Sequence, residues 1–186
     1  MDNSIKQIKK DLSNNKKVLF SGTACQVAAV NSSVNQKEME NLYTCDLICH
    51  GVPSERVFKD YLKFLAKKYN KKIKNFNFRD KKFGWNAHIE TIKFEDDTEI
   101  SLEHFKYLFY KHNILRPSCY NCNFANKHRP ADITVADFWG IDEVCPSFDD
   151  DKGVSLIIIN TKKGQMLFEE IKDNFEIIDV SIENCI

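Results

Sequence analysis

No apolar run in the 186-residue chain approaches the roughly 20 residues that a membrane-spanning helix requires. The opening residues, Met1-Asp2-Asn3-Ser4-Ile5-Lys6, lead into no apolar signal core, so a cytoplasmic location is expected. Net charge is missing as well: 27 Lys and Arg balance 27 Asp and Glu. That balance argues against a global field for nucleic acid or an anionic membrane and leaves only local basic patches. No internal repeat and no low-complexity tail is visible. A second close pair of cysteines is also absent. Structural zinc ribbons usually bring two such pairs, whereas Cys119-Tyr120-Asn121-Cys122 stands alone.

Cysteine itself is abundant, at seven residues. An odd number cannot close a complete disulfide framework. In a reducing compartment, thiols at this density suggest metal or redox chemistry before disulfides. Cys119 and Cys122 lie in a turn-like segment after Arg116-Pro117, where proline limits helix continuation. Such a pair can offer two sulfurs to one metal or cluster, leaving a four-ligand site to be completed elsewhere. The best candidates are Cys25, in Ser21-Gly22-Thr23-Ala24-Cys25-Gln26, and Cys49, in Cys49-His50-Gly51-Val52-Pro53. Each falls where an expected strand gives way to a loop or helix, and such junctions can converge at one edge of a parallel sheet. Cys45, Cys145 and Cys185 are read as buried free thiols that pack as small hydrophobes.

Three alternatives stay open at the level of residues. One is a zinc site. Another is a thioredoxin-like dithiol, which normally sits at a helix start after a strand, and no strand leads into Cys119. The third is a set of scattered structural thiols. His50 is a possible ligand, although a hydrogen-bonded loop histidine is commoner. Asp137 and Trp139 are candidates to line a flavin or substrate cleft; the alternative is that Trp139 is core and Asp137 a loop cap.

The length suits one domain, residues 1–186, with a core of its own. A short amphipathic helix is expected over 4–14, with Ile5, Ile8 and Leu12 on one face. A strand over 17–20 follows, turned by Ser21-Gly22-Thr23 into a helix from Cys25, whose exposed N–H groups favour an anion or a thiolate. Residues 35–41 form a polar helical connector. The run 42–49 reads as a strand apolar enough to be buried on both faces. From Pro53-Ser54 a helix carries Phe58, Tyr61, Leu62, Leu65 and Tyr69 at helical spacing.

Alternation then marks strands over 73–79, 88–94 and 98–102, with Glu95-Asp96-Asp97 as the hairpin turn. A helix over 103–112 precedes the thiol pair. Strands follow at 133–136 and 154–160, a helix at 165–173 with Leu167, Phe168 and Ile171 inward, and a last strand at 176–180. The expected fold is α/β: a mainly parallel sheet with flanking helices and a small antiparallel β insertion.

Four stretches occur in fixed order: Ser21 to Ala29, Asp46 to Ser54, Arg116 to Cys122, and Asp132-Ile133-Thr134-Val135-Ala136-Asp137-Phe138-Trp139-Gly140. Together they make the chain resemble the C-terminal portion of the coenzyme F420 hydrogenase/dehydrogenase beta-subunit family, from about Lys17 to about Val180. The resemblance implies an iron–sulfur flavoprotein oxidoreductase. Its flavin (FAD) exchanges hydride with a deazaflavin coenzyme, and an adjacent [4Fe–4S] cluster passes single electrons to a redox partner. Carried onto this chain, the cluster ligands are Cys25, Cys49, Cys119 and Cys122, and Gly22 and Thr23 sit at a helix start suited to a flavin phosphate. Family members usually carry a further N-terminal region, often with ferredoxin-like cysteine motifs. This chain begins just before the first shared motif, so a missing N-terminal half or a partner subunit is expected. The opposing expectation is a non-catalytic assembly domain, zinc-bound or metal-free.

Overall fold

The computed structural model describes residues 1–181; Cys185 lies outside the described residues. In chain order the main elements are α1 (Asp2–Ser13), β1 (Val18–Thr23), α2 (Ala24–Asn31), α3 (Gln36–Met39), β2 (Leu42–Leu47), α4 (Glu55–Tyr69), β3 (Ile73–Asn77), β4 (Glu90–Phe94) and β5 (Glu99–Leu102). They continue with α5 (His104–Tyr110), α6 (Pro117–Tyr120), β6 (Ile133–Asp137), α7 (Ile141–Val144), β7 (Ser155–Ile159) and α8 (Lys162–Glu169). The chain packs as two units. One comprises Met1–Cys49, Asn123–Asp150 and the chain from Val154 onward; the other comprises His50–Cys122 and Asp151–Gly153.

The first unit holds a four-stranded sheet in the order β1-β2-β6-β7. β1, β2 and β6 run parallel, and β7 closes the edge antiparallel to β6. The second unit holds an antiparallel three-stranded sheet, β3-β4-β5. The architecture is therefore α/β, mainly parallel in the larger sheet, with flanking helices and a separate small antiparallel sheet, as the periodicities indicate.

In the first unit the amphipathic stripe of α1 buries Ile8 and Leu12 against Val30 of α2 and Leu42 of β2. A second cluster gathers Phe138, Ile141 and Leu156. β2 departs from expectation. Its residues alternate between buried and partly exposed rather than being buried on both faces, and its inward positions include Thr44 and Asp46. Ser21-Gly22-Thr23 does not turn the chain either. These are the last rungs of β1, pairing with Cys45, Asp46 and Leu47, and α2 begins directly after them. Residues 176–180 form no strand. Ile178 and Val180 pack onto the Phe138 cluster instead, so the apolar run contributes side chains rather than a ladder. Ile171, expected inward, is exposed because α8 has ended before it.

α8 approaches the sheet through Gly164. A Cβ there would be driven into the Asp132 carbonyl oxygen and would lie 2.8 Å from the carbonyl carbon. Helix propensity alone favours alanine by about 1 kcal/mol. Collision with rigid backbone outweighs it, because overpacking typically costs about 1–3 kcal/mol and the obstacle here has no rotamer to change.

In the second unit α4 lays Leu65, Tyr61 and Tyr69 on Ile92 and Phe94 of β4. Asn70 stops α4 in a left-handed conformation, φ 51°. The β4–β5 turn puts Asp97 at φ 61°, with Asp97 N–H donating to the Phe94 carbonyl at 3.0 Å. Glu90, only 1% exposed, accepts from the Lys106 N–H at the start of α5 and from the Tyr61 hydroxyl at 3.3 Å. Burial pushes its carboxyl above the ordinary 4.5, and those donors only partly oppose the shift.

Two outcomes follow from this packing. Gly164→Ala should destabilise the chain by about 1–2 kcal/mol net in urea unfolding. The raised Glu90 carboxyl binds its proton more tightly in the folded state. Its contribution is therefore full below the ordinary glutamate range and falls as pH rises through the shifted value. Glu90→Gln should flatten that fall, measured as unfolding free energy across the same pH range.

Candidate functional site

The parallel pairing fixes the level at which the strands end. Thr23 of β1 pairs with Leu47 of β2, and Leu47 pairs with Val135 of β6. Cys25, Cys49 and Asp137 each stand two residues beyond that common rung. Cys25 and Cys49 have left the sheet there, and Asp137 is the last residue of β6, still paired with Ser155 of β7; all three stand at the carboxyl end of the parallel strands, where open α/β sheets bind ligands. Trp139 lies two residues further on. It is 50% exposed, so the reading of Trp139 as core is overturned; Phe138, 4% exposed, fills that place.

Cys25 is the second residue of α2, half-buried, with the Thr23 hydroxyl 3.1 Å from its sulfur. Gly22 and Thr23 are both engaged internally. Thr23 N–H donates to Gln26 Oε1 at 2.9 Å, the returning half of a capping box. A Cβ on Gly22 would meet the same oxygen at 2.9 Å and the Phe20 ring at 3.3 Å. The Thr23 N–H, at the helix start expected to suit a flavin phosphate, is thus already spent on the helix cap.

In the second unit, the strip that follows Cys49 runs beside the strip that delivers the thiol pair. Arg116 N–H donates to the Val52 carbonyl at 2.9 Å, and Ser54 N–H to the Ile114 carbonyl at 2.7 Å. Gly51 sits at φ +135°, and a Cβ there would lie 3.0 Å from Leu115 and 3.5 Å from the Cys119 Cβ. Glycine is needed for both the conformation and the close approach. Cys119 and its neighbours are not a simple turn: Pro117 opens the one-turn helix α6, where its missing N–H is no loss. Arg116 Nε donates to the Cys119 sulfur at 3.4 Å. Burial raises the Cys119 thiol, but this guanidinium and nearby donors outweigh it and hold the thiol below its ordinary value. His50 packs among Phe109, Tyr110 and His112, with ring centroids 4.6–5.0 Å away.

None of the six described cysteines is tied up in a disulfide. Burial and the neighbouring Asp46 push the Cys45 thiol up, away from a metal-binding thiolate. Cys145 is half-buried, 3.6 Å from the Ser147 hydroxyl. Among the described residues, no three His, Cys, Asp or Glu side chains form a group that could hold a metal ion. Cys25 and Cys49 belong to the first unit, Cys119 and Cys122 to the second.

Sequence reasoning missed the polar row behind this end of the sheet. Asp46, whose side chain is fully buried, takes Arg129 Nη2 at 3.0 Å and the Thr134 hydroxyl at 2.5 Å. The same nitrogen of Arg129 donates to the Leu47 carbonyl at 3.0 Å, and Nη1 donates to the Phe124 carbonyl at 2.9 Å. Asp132 accepts from the Thr44 N–H at 2.8 Å, its hydroxyl at 3.0 Å and the Thr161 hydroxyl at 2.7 Å. The available signal was one aspartate inside an apolar strand, Asp46, and one directly before another, Asp132, with an arginine just upstream of the second.

The family defined by the C terminus of the coenzyme F420 hydrogenase/dehydrogenase beta subunit matches residues 15–183, and the chain belongs to it. Among solved structures, a chain of the F420-reducing [NiFe] hydrogenase complex from Methanosarcina barkeri, determined after xenon derivatization, is similar at 17% identity with a TM-score of 0.52. The alignment covers 91% of this chain and 54% of that one, so this chain spans about half the neighbour's length. No curated protein matches the chain. No described helix is long and apolar enough to cross a membrane.

With any bound metal removed, Arg116→Gln should return the Cys119 thiol toward its ordinary, higher value. Alkylation of Cys119 at neutral pH should slow accordingly, read by mass spectrometry of the modified peptide.

Proposed function

We propose that this chain is the cluster-bearing part of an iron–sulfur flavoprotein oxidoreductase. It would pass electrons between a flavin or deazaflavin-type carrier and a redox partner through one [4Fe–4S] centre. The observation that carries the reading is the placement of the thiols. Cys25 and Cys49 leave the sheet from one rung, and the strip after Cys49 is hydrogen-bonded to the strip before Cys119. The ligand set proposed for that centre is Cys25, Cys49, Cys119 and Cys122.

Thiols are the donor type such a centre takes, although among the described residues no three candidate side chains gather into one group. The thiols are held in no disulfide, and the Thr23 hydroxyl and Arg116 guanidinium stand at hydrogen-bonding range of two of them. Hydrogen bonds of this kind orient thiolate ligands and tune a cluster. When bound, the cluster supplies one-electron transfer; the chain supplies position and electrostatics. For FAD, the fit at Gly22 and Thr23 is poor because the Thr23 N–H is occupied. Asp137 and Trp139, at the same end of the sheet, are the better candidates for flavin contact. The rest of a flavin pocket would come from a further region or a partner subunit, in keeping with a neighbour that is part of a hydrogenase complex.

Anaerobically purified protein should carry about four irons and matching acid-labile sulfide per chain. Cys122→Ser should lose that iron, while Cys145→Ser and Cys185→Ser keep it. Stoichiometric zinc with no iron would instead establish the assembly-domain alternative. Equal iron in the three variants would refute the ligand choice. Flavin is tested separately, by absorbance and fluorescence of extracted cofactor before and after adding the polypeptide that completes the family's length.

A further inference from the structure

We infer that the open face of the four-stranded sheet is a docking surface, and that its occupant is a helical layer from the polypeptide that lies beyond the matched part in the hydrogenase neighbour. Side chains alternate between the two faces of a sheet, so the register sorts them. On one face Leu42, Thr44, Asp46, Thr134 and Leu156 are buried. On the other, Thr23, Leu47, Val135 and Ile157 form one row across the four strands. Ser21, Cys45, Ile133 and Ile159 form the next, and Leu19 and Tyr43 begin a third. α8 covers the amino end of this face. A Cβ on Gly164 would lie 3.2 Å from Ile133, itself 8% exposed, and Lys163 Nζ stands 5.4 Å from the Tyr43 ring. Toward the carboxyl end and the rims the cover stops: Leu47 is 41% exposed, Val135 and Ile157 36% each, Ile159 37% and Leu19 65%.

Single exposed apolar residues are ordinary, but a contiguous apolar surface marks an interaction site. Parallel strands sharpen the demand, because helices normally cover both of their faces. Charge, length and position choose the occupant. The three rows hold no charged residue, so the partner's contact surface is apolar, as the stripe of an amphipathic helix is. The neighbour shares this fold, yet the shared part is only 54% of its chain, which leaves nearly half to supply a further layer. A second copy of this chain fits less well. Five part-exposed side chains fall short of the roughly 800 Å² per partner of a stable interface, whereas a layer that continues into other contacts is free of that limit. The open row is the last common rung before Cys49 and Asp137, so the docked layer borders the candidate site and walls the cleft beside Asp137 and Trp139.

Photocrosslinking in the cells that make the protein tests this. p-Benzoylphenylalanine replaces Val135 or Ile157 on the open face, or Lys9 on α1, whose helix packs on the opposite face. Val135 and Ile157 should capture a peptide that aligns with the part of the hydrogenase chain outside the match, and Lys9 should not, as read by mass spectrometry. Ile157→Lys should leave the far-UV spectrum of the isolated chain unchanged. It should weaken capture from Val135 at least about tenfold, because docking would bury an unpaired ammonium. Should Ile157→Lys misfold, the contrast between Val135 and Lys9 carries the test. Capture within residues 1–186, whether from a second copy or from the same molecule, overturns the inference. So does capture of a polypeptide unlike that neighbour, or no capture at all. The inference rests on the fold and not on the cluster: a chain without iron leaves it standing, and absent capture leaves the cluster reading standing.

Discussion

The register between β2 and β6 is the constraint on which the first unit depends, and buried carboxylates impose it. The backbone ladder there is short: Cys45, Asp46 and Leu47 face Ile133, Thr134 and Val135. So few rungs resist slippage weakly. Asp46 reaches across to the Thr134 hydroxyl, and Asp132 reaches back to the N–H and hydroxyl of Thr44. A slip of one residue would turn these groups to the opposite face and strand both carboxylates without partners. Removing one partner of a buried pair typically costs about 3–5 kcal/mol, more than an alternative register would recover. The same register brings Thr23, Leu47 and Val135 level, and so decides where Cys25, Cys49 and Asp137 emerge.

The thiols separate by environment. Cys45 lies inside the sheet beside a carboxylate, and both burial and charge keep its proton on. Cys119 lies beside a guanidinium, which outweighs its burial. Cys25 begins a helix next to a hydroxyl. Within one chain, the distinction between packing thiols and ligand candidates thus rests on what stands within a few ångströms of each sulfur.

Much of the fold was legible in the sequence because its signals are local. The stripe of α4, the alternation of β3 to β5 and the glycine–proline punctuation after Cys49 all act within a few residues. What failed was non-local. The run 42–49 read as apolar on both faces, because nothing in the sequence shows that Asp46 will find Arg129, 83 positions away. Ser21-Gly22-Thr23 looked like a turn by composition, yet pairing with β2 extends β1 through it. Residues 176–180 read as a last short strand, but Ile178 and Val180 pack by side chains onto the Phe138 cluster without a ladder. The thiol pair and its two distant companions could be picked out from punctuation. Arg129 could not, since its role comes from geometry and not from a motif.

The second unit is spliced between two adjacent strands of the first, and this bears on biosynthesis. Thr44 and Asp132 lie 88 positions apart, and nearly all of the small antiparallel sheet with its helices is translated between them. Domains tend to form as units while the nascent polypeptide emerges. The inserted unit can close on itself while β1 and β2 wait, already exported from the ribosome but lacking their third strand. Completion of the larger sheet is then a late, long-range closure, and the loop penalty for it is smaller once the intervening residues are compact.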